Sequence, residues 1–139
     1  MAAAKKGPNS HSRVRSDHAT ELAEDYVEAI ADRIASKGSC RAVDLAQQFQ
    51  VSHVTVNRTI GRLQRDGFVT TKPYAPIELT PAGNRLAKSA RKRHEIVRQF
   101  LLAIGVSETV ADIDSEGIEH HVSPETLAAM KTFTEARGG

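Results

Sequence analysis

Two short amphipathic helices joined by a tight turn constrain the fold of this chain more than any other feature of its sequence. Apolar side chains recur at helical spacing over residues 43–49 and again over residues 53–66, and Val51 and Ser52 form the turn between them. Gly67 ends the second helix, because glycine readily adopts the left-handed conformation that closes a helix. A helix, a tight turn and a helix of these lengths predict a helix-turn-helix.

A small β-hairpin is predicted directly after the second helix. Residues 68–72 and 77–79 have the composition of strands, and residues 73–76 form the turn between them. The predicted fold class is therefore mainly α with a small β-hairpin wing, a winged helix-turn-helix domain followed by a helical domain. The other helices are predicted from Ser16 to Lys37, from Pro81 to about Ile104, and after the capping residues Ser107 and Ser123.

Charge is distributed unevenly along the chain. Residues 1–99 contain 17 of the 19 Lys and Arg residues and 10 of the 17 Asp and Glu residues, a net charge of +7, whereas residues 100–139 carry −5. A basic N-terminal part suits a polyanion such as DNA, and an acidic, histidine-containing C-terminal part suits cations. Two solvated faces of unequal sign would give the same numbers, so charge alone leaves both interpretations open.

We divide the chain into three parts. Residues 1–15 lack apolar periodicity and are interpreted as a disordered basic arm, residues 16–82 as the winged-helix domain, and residues 83–139 as a second, helical domain. The sequence contains neither an apolar run of the ~18–20 residues that span a bilayer nor a signal-peptide core. Cys40 is the only cysteine, which agrees with a reducing compartment. We therefore expect a cytoplasmic protein without a membrane partner.

One face of the helix over residues 53–66 is chemically suited to the major groove of DNA. Arg58 can bond a guanine edge or a phosphate, and Asn57 can pair with adenine. An ordinary solvated helix face is the alternative, but the preceding helix and the following hairpin favour the DNA interpretation. Tyr74, at the predicted wing tip, either contacts DNA or simply packs on the wing. The candidate DNA-binding residues are Ser52, Val54, Thr55, Asn57, Arg58 and Arg62, with Lys72 and Tyr74 at the wing tip.

Acidic and histidine residues recur at spacings that suit a metal site. Glu116, Glu119 and His120 lie at i, i+3 and i+4, so they point to one side of a helix, where the two carboxylates repel unless a cation or a proton neutralises them. Asp25 and Glu28 form a second acidic pair on the first helix. Nitrogen and oxygen donors without a thiolate suit a borderline or hard divalent metal, although each piece alone also occurs by chance. The candidate metal ligands are Asp25, Glu28, His94, Glu116, Glu119 and His120.

These motifs, in this order, resemble the diphtheria toxin repressor family of metal-dependent regulators. The matching segments are residues 24–28 (EDYVE), 93–97 (RHEIV) and 116–121 (EGIEHH), and the resemblance covers about residues 20–135. The wing tip departs from the family, because residues 73–76 read PYAP where many members have glycine.

The resemblance is greatest to the manganese-responsive branch of the family. The iron-responsive branch has methionine at the position of Asp25 and cysteine at the position of Glu116. Carboxylate oxygen in place of sulfur suits Mn(II), which prefers hard ligands. We also expect the protein to be without the additional C-terminal domain of the iron branch.

The family resemblance implies a homodimer that binds a double-stranded DNA operator through its winged-helix domains and dimerises through the helical domain. Carried over by position, the six candidate ligands bind Mn(II), with two ions per subunit. The expected function is a Mn(II)-dependent transcriptional repressor of manganese uptake genes, which is not an enzyme and has no small-molecule substrate. Two rival functions are a metal-independent winged-helix regulator that senses an organic ligand and a carboxylate-bridged dimetal enzyme.

Overall fold

The structure, a computed structural model, describes residues 10–138, with side chains from residue 18 onward. It is mainly helical with one two-stranded hairpin, which confirms the predicted fold class. A 3₁₀ turn, Glu119–His121, follows the fifth helix. The helices are α1 (Ser10–Lys37), α2 (Ala42–Phe49), α3 (His53–Arg65), α4 (Pro81–Ala103), α5 (Glu108–Ile118) and α6 (Pro124–Ala136), and the strands are β1 (Val69–Thr70) and β2 (Glu78–Leu79).

Helix α1 begins earlier than predicted. The structure starts it at Ser10, so Ser16 and Asp17 lie inside the helix and do not cap it. The sequence from residue 10 to Lys37 contains neither glycine nor proline, and nothing local stops the helix from extending toward the N-terminus. The predicted disordered arm is therefore wrong for residues 10–15, while residues 1–9 lie outside the described residues.

The first hydrophobic core joins α1 to the helix-turn-helix. Tyr26 and Ile30 of α1, Leu45 of α2, and Val56 and Leu63 of α3 are all buried in it. Fully burying an apolar side chain of this size stabilises a fold by roughly 1.5–3 kcal/mol. These contacts fix the position of α3 relative to α1, so a shift of α1 would also move α3.

The wing is shorter than predicted and is held from outside the hairpin. β1 and β2 are antiparallel, and each has only two residues. The backbone N–H of Ile77 does not extend the ladder, because it donates to the carbonyl oxygen of Cys40 at 2.8 Å. The tip is a turn in which the Ala75 N–H donates to the Lys72 carbonyl oxygen at 3.1 Å.

Helix α4 begins directly behind the wing and passes through both halves of the molecule. As predicted, Thr80 caps it, accepting a hydrogen bond from the Gly83 N–H at 3.0 Å, and Pro81 takes the first helical position. At its C-terminal end, Val97 and Leu101 pack with Ala111 of α5 and with α6 in a second core. Among the described residues, no helix is long and apolar enough to cross a membrane.

Candidate metal centre and DNA-binding face

A cleft of about 800 Å³ opens between α1, α4 and the end of α5. Five of the six candidate metal ligands line it, the exception being His120. His120 lies beside the cleft, where its Nε2 is 3.0 Å from Oδ1 of Asp25. The structure thus brings together residues from three segments that are far apart in sequence. The cleft-lining ligands are Asp25, Glu28, His94, Glu116 and Glu119.

The wall of the cleft formed by α1 is more acidic than the sequence analysis recognised. Glu21 and Asp32 line it together with Asp25 and Glu28, at positions i, i+4, i+7 and i+11 of one helix face. This spacing was a readable signal, and the sequence analysis used only its two central members. One donor atom each from Glu21, Asp25 and His120 lie within 4.8 Å of one another.

His120 is clamped between two carboxylates of α1. Its Nδ1 lies 2.7 Å from Oε1 of Glu24 and its Nε2 lies 3.0 Å from Oδ1 of Asp25, with only 2% of its side chain exposed. Burial by itself would lower the pKa of His120, but the hydrogen bonds to Asp25 and Glu24 outweigh it and raise the pKa to about 10. A protonated imidazole here supplies positive charge to an acidic site.

Glu119 carries the clearest mark of a cation site. Its side chain is 3% exposed, and its Oε1 lies 2.9 Å from Nδ1 of His94. Its other oxygen, Oε2, is buried without a hydrogen-bond partner in the described part of the chain. Burial raises the pKa of Glu119 to about 7, since the hydrogen bond from His94 only partly offsets it. Native structures rarely leave a buried polar atom unpaired, and a bound cation is one way to satisfy such an oxygen.

The segment around Glu119 differs from the predicted continuous helix. α5 ends at Ile118, and residues 119–121 form the 3₁₀ turn. Glu116, inside α5, is exposed, whereas Glu119, in the turn, is buried. The three residues of the predicted i, i+3, i+4 set do not share one α-helical face, although both carboxylates still open into the same cleft.

Glu24 is a buried residue beside the cleft that was not among the predicted site residues. Its carboxylate is buried, with one oxygen at His120 and the other paired with the guanidinium of Arg93 on α4. Burial would raise the pKa of Glu24, but the hydrogen bond from His120 and the charge of Arg93 lower it. The available signal was an acidic residue three positions before the buried Val27, on the apolar side of α1.

The predicted DNA-binding residues all lie on the surface. Val54 is 66% exposed on α3, and Tyr74 is 99% exposed at the wing tip. The hydroxyl of Ser52 caps α3 by accepting a hydrogen bond from the Thr55 N–H at 3.1 Å. The other predicted residues, Thr55, Asn57, Arg58, Arg62 and Lys72, are exposed as well.

Six of the eight predicted DNA-binding residues line two shallow grooves, one on each side of α3. Asn57, Lys72 and Tyr74 line a groove between α3 and the wing. Thr55, Arg58 and Arg62 line a second groove on the other side of α3.

The wing tip has a strained backbone with an external support. Tyr74 has φ 62°, which is uncommon for any residue other than glycine, and it follows proline in the turn. The guanidinium of Arg41, which precedes α2, donates to the Tyr74 carbonyl oxygen at 3.2 Å. Arg41 was not among the predicted site residues, and no local pattern marks a contact across 33 positions.

Both halves of the chain match models of one protein family. Residues 18–77 match the model described as iron dependent repressor, N-terminal DNA binding domain. Residues 80–136 match the model described as iron dependent repressor, metal binding and dimerisation domain. The two matches meet within three residues of each other, at the start of α4.

Individual relatives agree with the family matches. The transcriptional regulator MntR of Salmonella typhimurium is 47% identical over 126 residues, 91% of this chain and 80% of that protein. The HTH-type transcriptional regulator MntR of Lysinibacillus sphaericus is 40% identical over 104 residues, 75% of each chain. A solved manganese-dependent transcriptional repressor, in complex with manganese, superimposes with a TM-score of 0.73 at 26% identity. The alignment covers 81% of this chain and 52% of that one, so this chain spans about half its length.

Proposed function

The chain belongs to the iron-dependent repressor family, and we propose that it is a Mn(II)-dependent repressor that binds operator DNA as a homodimer. The observation that carries the proposal is the buried, unpartnered Oε2 of Glu119 in a cleft walled by carboxylates from two parts of the chain. A buried carboxylate oxygen in such surroundings is neutralised either by a proton or by a cation, and the other carboxylates of the cleft favour a cation. The names of the relatives support manganese as that cation.

The donor set fits a hard divalent ion. Four carboxylates and two imidazoles make up the proposed ligands, and none of them is a thiolate. Mn(II) lies at the weak end of the divalent affinity series and needs several anionic oxygen ligands to bind usefully. We propose two ions per subunit. Their ligands are Asp25, Glu28, His94, Glu116, Glu119 and His120.

The positions of the ligands explain how metal would control DNA binding. When bound, the ions supply the positive charge that the acidic cleft lacks. Asp25 and Glu28 lie on α1, which shares a core with α3 through Tyr26 and Ile30. The remaining ligands lie on α4 and at the end of α5, so ligands from both sides tie the orientation of α3 to the helical part of the chain. Metal and DNA then raise each other's affinity by the same factor.

We place the dimer interface on the outer face of α5 and α6. Val110 and Ile113 of α5 are 45% and 64% exposed, and Phe133 of α6 is 38% exposed. We propose that these exposed apolar residues contribute to an interaction surface. A two-fold dimer presents two copies of α3, and half-sites about 34–36 Å apart are the spacing that successive major grooves require.

The proposed output is repression of manganese uptake genes in the cytoplasm when Mn(II) is abundant. Each candidate DNA residue then has a role. Arg58, Asn57, Val54, Thr55 and Arg62 face the major groove, Ser52 lies at a phosphate, and Lys72 and Tyr74 lie at the flanking backbone or minor groove.

Substituting the cleft carboxylates tests the proposal. Glu116→Ala and Glu119→Ala should abolish the increase in DNA affinity that Mn(II) causes, while far-UV circular dichroism stays unchanged. Glu135→Ala is the matched control, because Glu135 is exposed on α6 and lies outside the cleft. A Mn(II) response that survives in both cleft variants would disprove the site.

The same titration separates the rival functions. A metal-independent regulator that senses an organic ligand predicts that Mn(II) leaves DNA affinity unchanged. A carboxylate-bridged dimetal enzyme predicts Mn(II) binding by calorimetry without specific DNA binding. Only the proposed repressor predicts both Mn(II) binding and a steep rise in DNA affinity over the same Mn(II) range.

A further inference from the structure

We propose that Glu24 is the positioning residue of the metal site: it holds the His120 ring so that Nε2, and not Nδ1, is the nitrogen offered to the metal. This inference rests on the proposed function. Glu24 is not one of the six proposed ligands, and it is absent from the residues that line the cleft in the described part of the chain.

The contacts of Glu24 distinguish it from a ligand. Its Oε1 lies 2.7 Å from Nδ1 of His120, and its Oε2 is paired with the Arg93 guanidinium. The side chain is only 8% exposed, so water has little access to its carboxylate oxygens. Both carboxylate oxygens are therefore occupied by protein groups, whereas Oε2 of Glu119 is not.

The tautomer of His120 follows from the chemistry of these partners. A histidine that binds a metal is neutral and keeps one ring N–H. An ionised carboxylate only accepts hydrogen bonds, so the nitrogen facing Glu24 must carry the proton. That nitrogen is Nδ1, so when His120 is neutral its lone pair is on Nε2, the nitrogen that lies 3.0 Å from the proposed ligand Asp25.

Arg93 keeps Glu24 in this role. Its guanidinium is paired with Oε2 of Glu24 inside the protein, and Arg93 precedes the proposed ligand His94 on α4. Through Glu24, α1 contacts both α4 and the 3₁₀ turn without any metal. The site is thereby partly assembled before an ion arrives, and residues that orient a ligand in this way typically contribute about ten- to a hundredfold to metal affinity.

Two variants separate positioning from packing. Glu24→Gln preserves the size and shape of the side chain but provides only one acceptor oxygen. Arg93 is a permanent donor and competes for that oxygen, which leaves the amide N–H₂ facing Nδ1 and favours the wrong tautomer. Glu24→Ala removes the acceptor altogether. Asp112→Ala is the control, because it breaks another carboxylate–arginine pair to α4, that with Arg98 at 2.5 Å, outside the cleft.

The first measurement is calorimetric titration of Mn(II) into the full-length chain. We expect both Glu24 variants to bind about ten- to a hundredfold more weakly with an unchanged number of ions, and Asp112→Ala to bind like the wild type. Wild-type affinity in Glu24→Gln would mean that Glu24 only fills space, and loss of one bound ion would mean that it is a ligand. Either result overturns the inference.

The second measurement identifies the metal-bound nitrogen directly. Long-range ¹⁵N NMR of the wild-type protein loaded with diamagnetic Cd(II) should show His120 protonated at Nδ1 and bound through Nε2. Binding through Nδ1 would refute the role of Glu24 while leaving the proposed function intact. A wild-type protein that takes up neither ion would instead defeat the proposed function, and this inference with it.

Discussion

Replacing Glu119 by glutamine should make the metal-free protein more stable and remove most of the stabilisation that Mn(II) provides. Glutamine keeps an oxygen that can accept the hydrogen bond from His94, whose Nδ1 lies 2.9 Å from Oε1. It removes the negative charge that burial disfavours. In the wild type, Oε2 shares that charge and has no hydrogen-bond partner among residues 18–138. The variant therefore separates the loss of stability that the buried charge causes from the role of that charge in metal binding.

The magnitude follows from the pKa of Glu119. Burial raises that pKa from 4.5 to about 7, and at 1.36 kcal/mol per pKa unit the ionised carboxylate lowers the free energy of unfolding by about 3 kcal/mol. The buried amide N–H₂ of glutamine also needs a partner, and an unsatisfied group costs about 1–3 kcal/mol. We expect a net gain of up to about 2 kcal/mol for Glu119→Gln at pH 8 without metal.

The pH dependence has a definite sign. Below pH 4.5 the Glu119 carboxyl is protonated in both the folded and the unfolded wild type, so the ionisation penalty is absent. As the pH rises from 4.5 to about 7, only the unfolded chain releases this proton, and the wild type loses stability that the variant keeps. The advantage of the variant should grow through this window and stay constant above it.

Urea unfolding with EDTA at pH 4, 6 and 8, followed by circular dichroism, measures the effect. Saturating Mn(II) should then stabilise the wild type, by about 2.7 kcal/mol at a concentration of one hundred times Kd, and the variant far less. Glu116→Gln is the control, because Glu116 is exposed and should change metal-free stability by less than about 0.5 kcal/mol. A metal-free Glu119→Gln protein that is less stable than the wild type at pH 8 would refute the reasoning.

Four further predictions concern the DNA-binding face, metal choice and the wing. Arg58→Ala should weaken specific DNA binding by about 1–3 kcal/mol if it reads a base, or reduce the salt slope by about one if it touches phosphate; no effect on operator or random DNA would show that α3 is oriented otherwise. Asp25→Met with Glu116→Cys should shift the DNA-binding response from Mn(II) toward Fe(II), Co(II) or Zn(II), whereas equal loss for every metal would indicate damage. Tyr74→Gly should relieve the backbone strain at φ 62° and raise the free energy of unfolding by up to about 1 kcal/mol, while it weakens DNA binding; unchanged DNA affinity would leave Tyr74 without a role in recognition. Gly83→Ala should lower the free energy of unfolding, measured in urea, by about 3 kcal/mol or more, because the new Cβ would lie 2.1 Å from a backbone oxygen behind the wing; an unchanged free energy would mean that α4 can move away from β1.

Local chemistry determined most of the elements of this protein. Thr80 and Pro81 start α4 as predicted, and Ser107 and Ser123 each accept the capping hydrogen bond of the following helix. Ser52 does the same for α3. A cap or a helical stripe involves residues three or four positions apart, so the printed sequence contains everything needed to recognise it.

The outward face of α3 and the acidic face of α1 were readable for the same reason. Once a helix is assigned and its apolar side is known, the composition of the opposite side follows from the 3.6-residue period. That period predicts Asp25 and Glu28 on one face of α1, and it places Glu21 and Asp32 on the same face. The resemblance to a known family then connected these carboxylates to His94 and to residues beyond position 115.

Tertiary structure alone decided which of these groups are buried and what they bind. Glu116 and Glu119 look equivalent in sequence, but packing leaves Glu116 of α5 exposed and buries Glu119 at the start of the 3₁₀ turn. Glu24 acquires its partner His120 across 96 positions and Arg93 across 69. No local period encodes contacts at such separations, since they depend on how α1 packs against α4 and on where the chain turns after α5. Burial in turn sets the pKa of Glu119, so the electrostatic character of the site is a property of the packed molecule rather than of any segment in it.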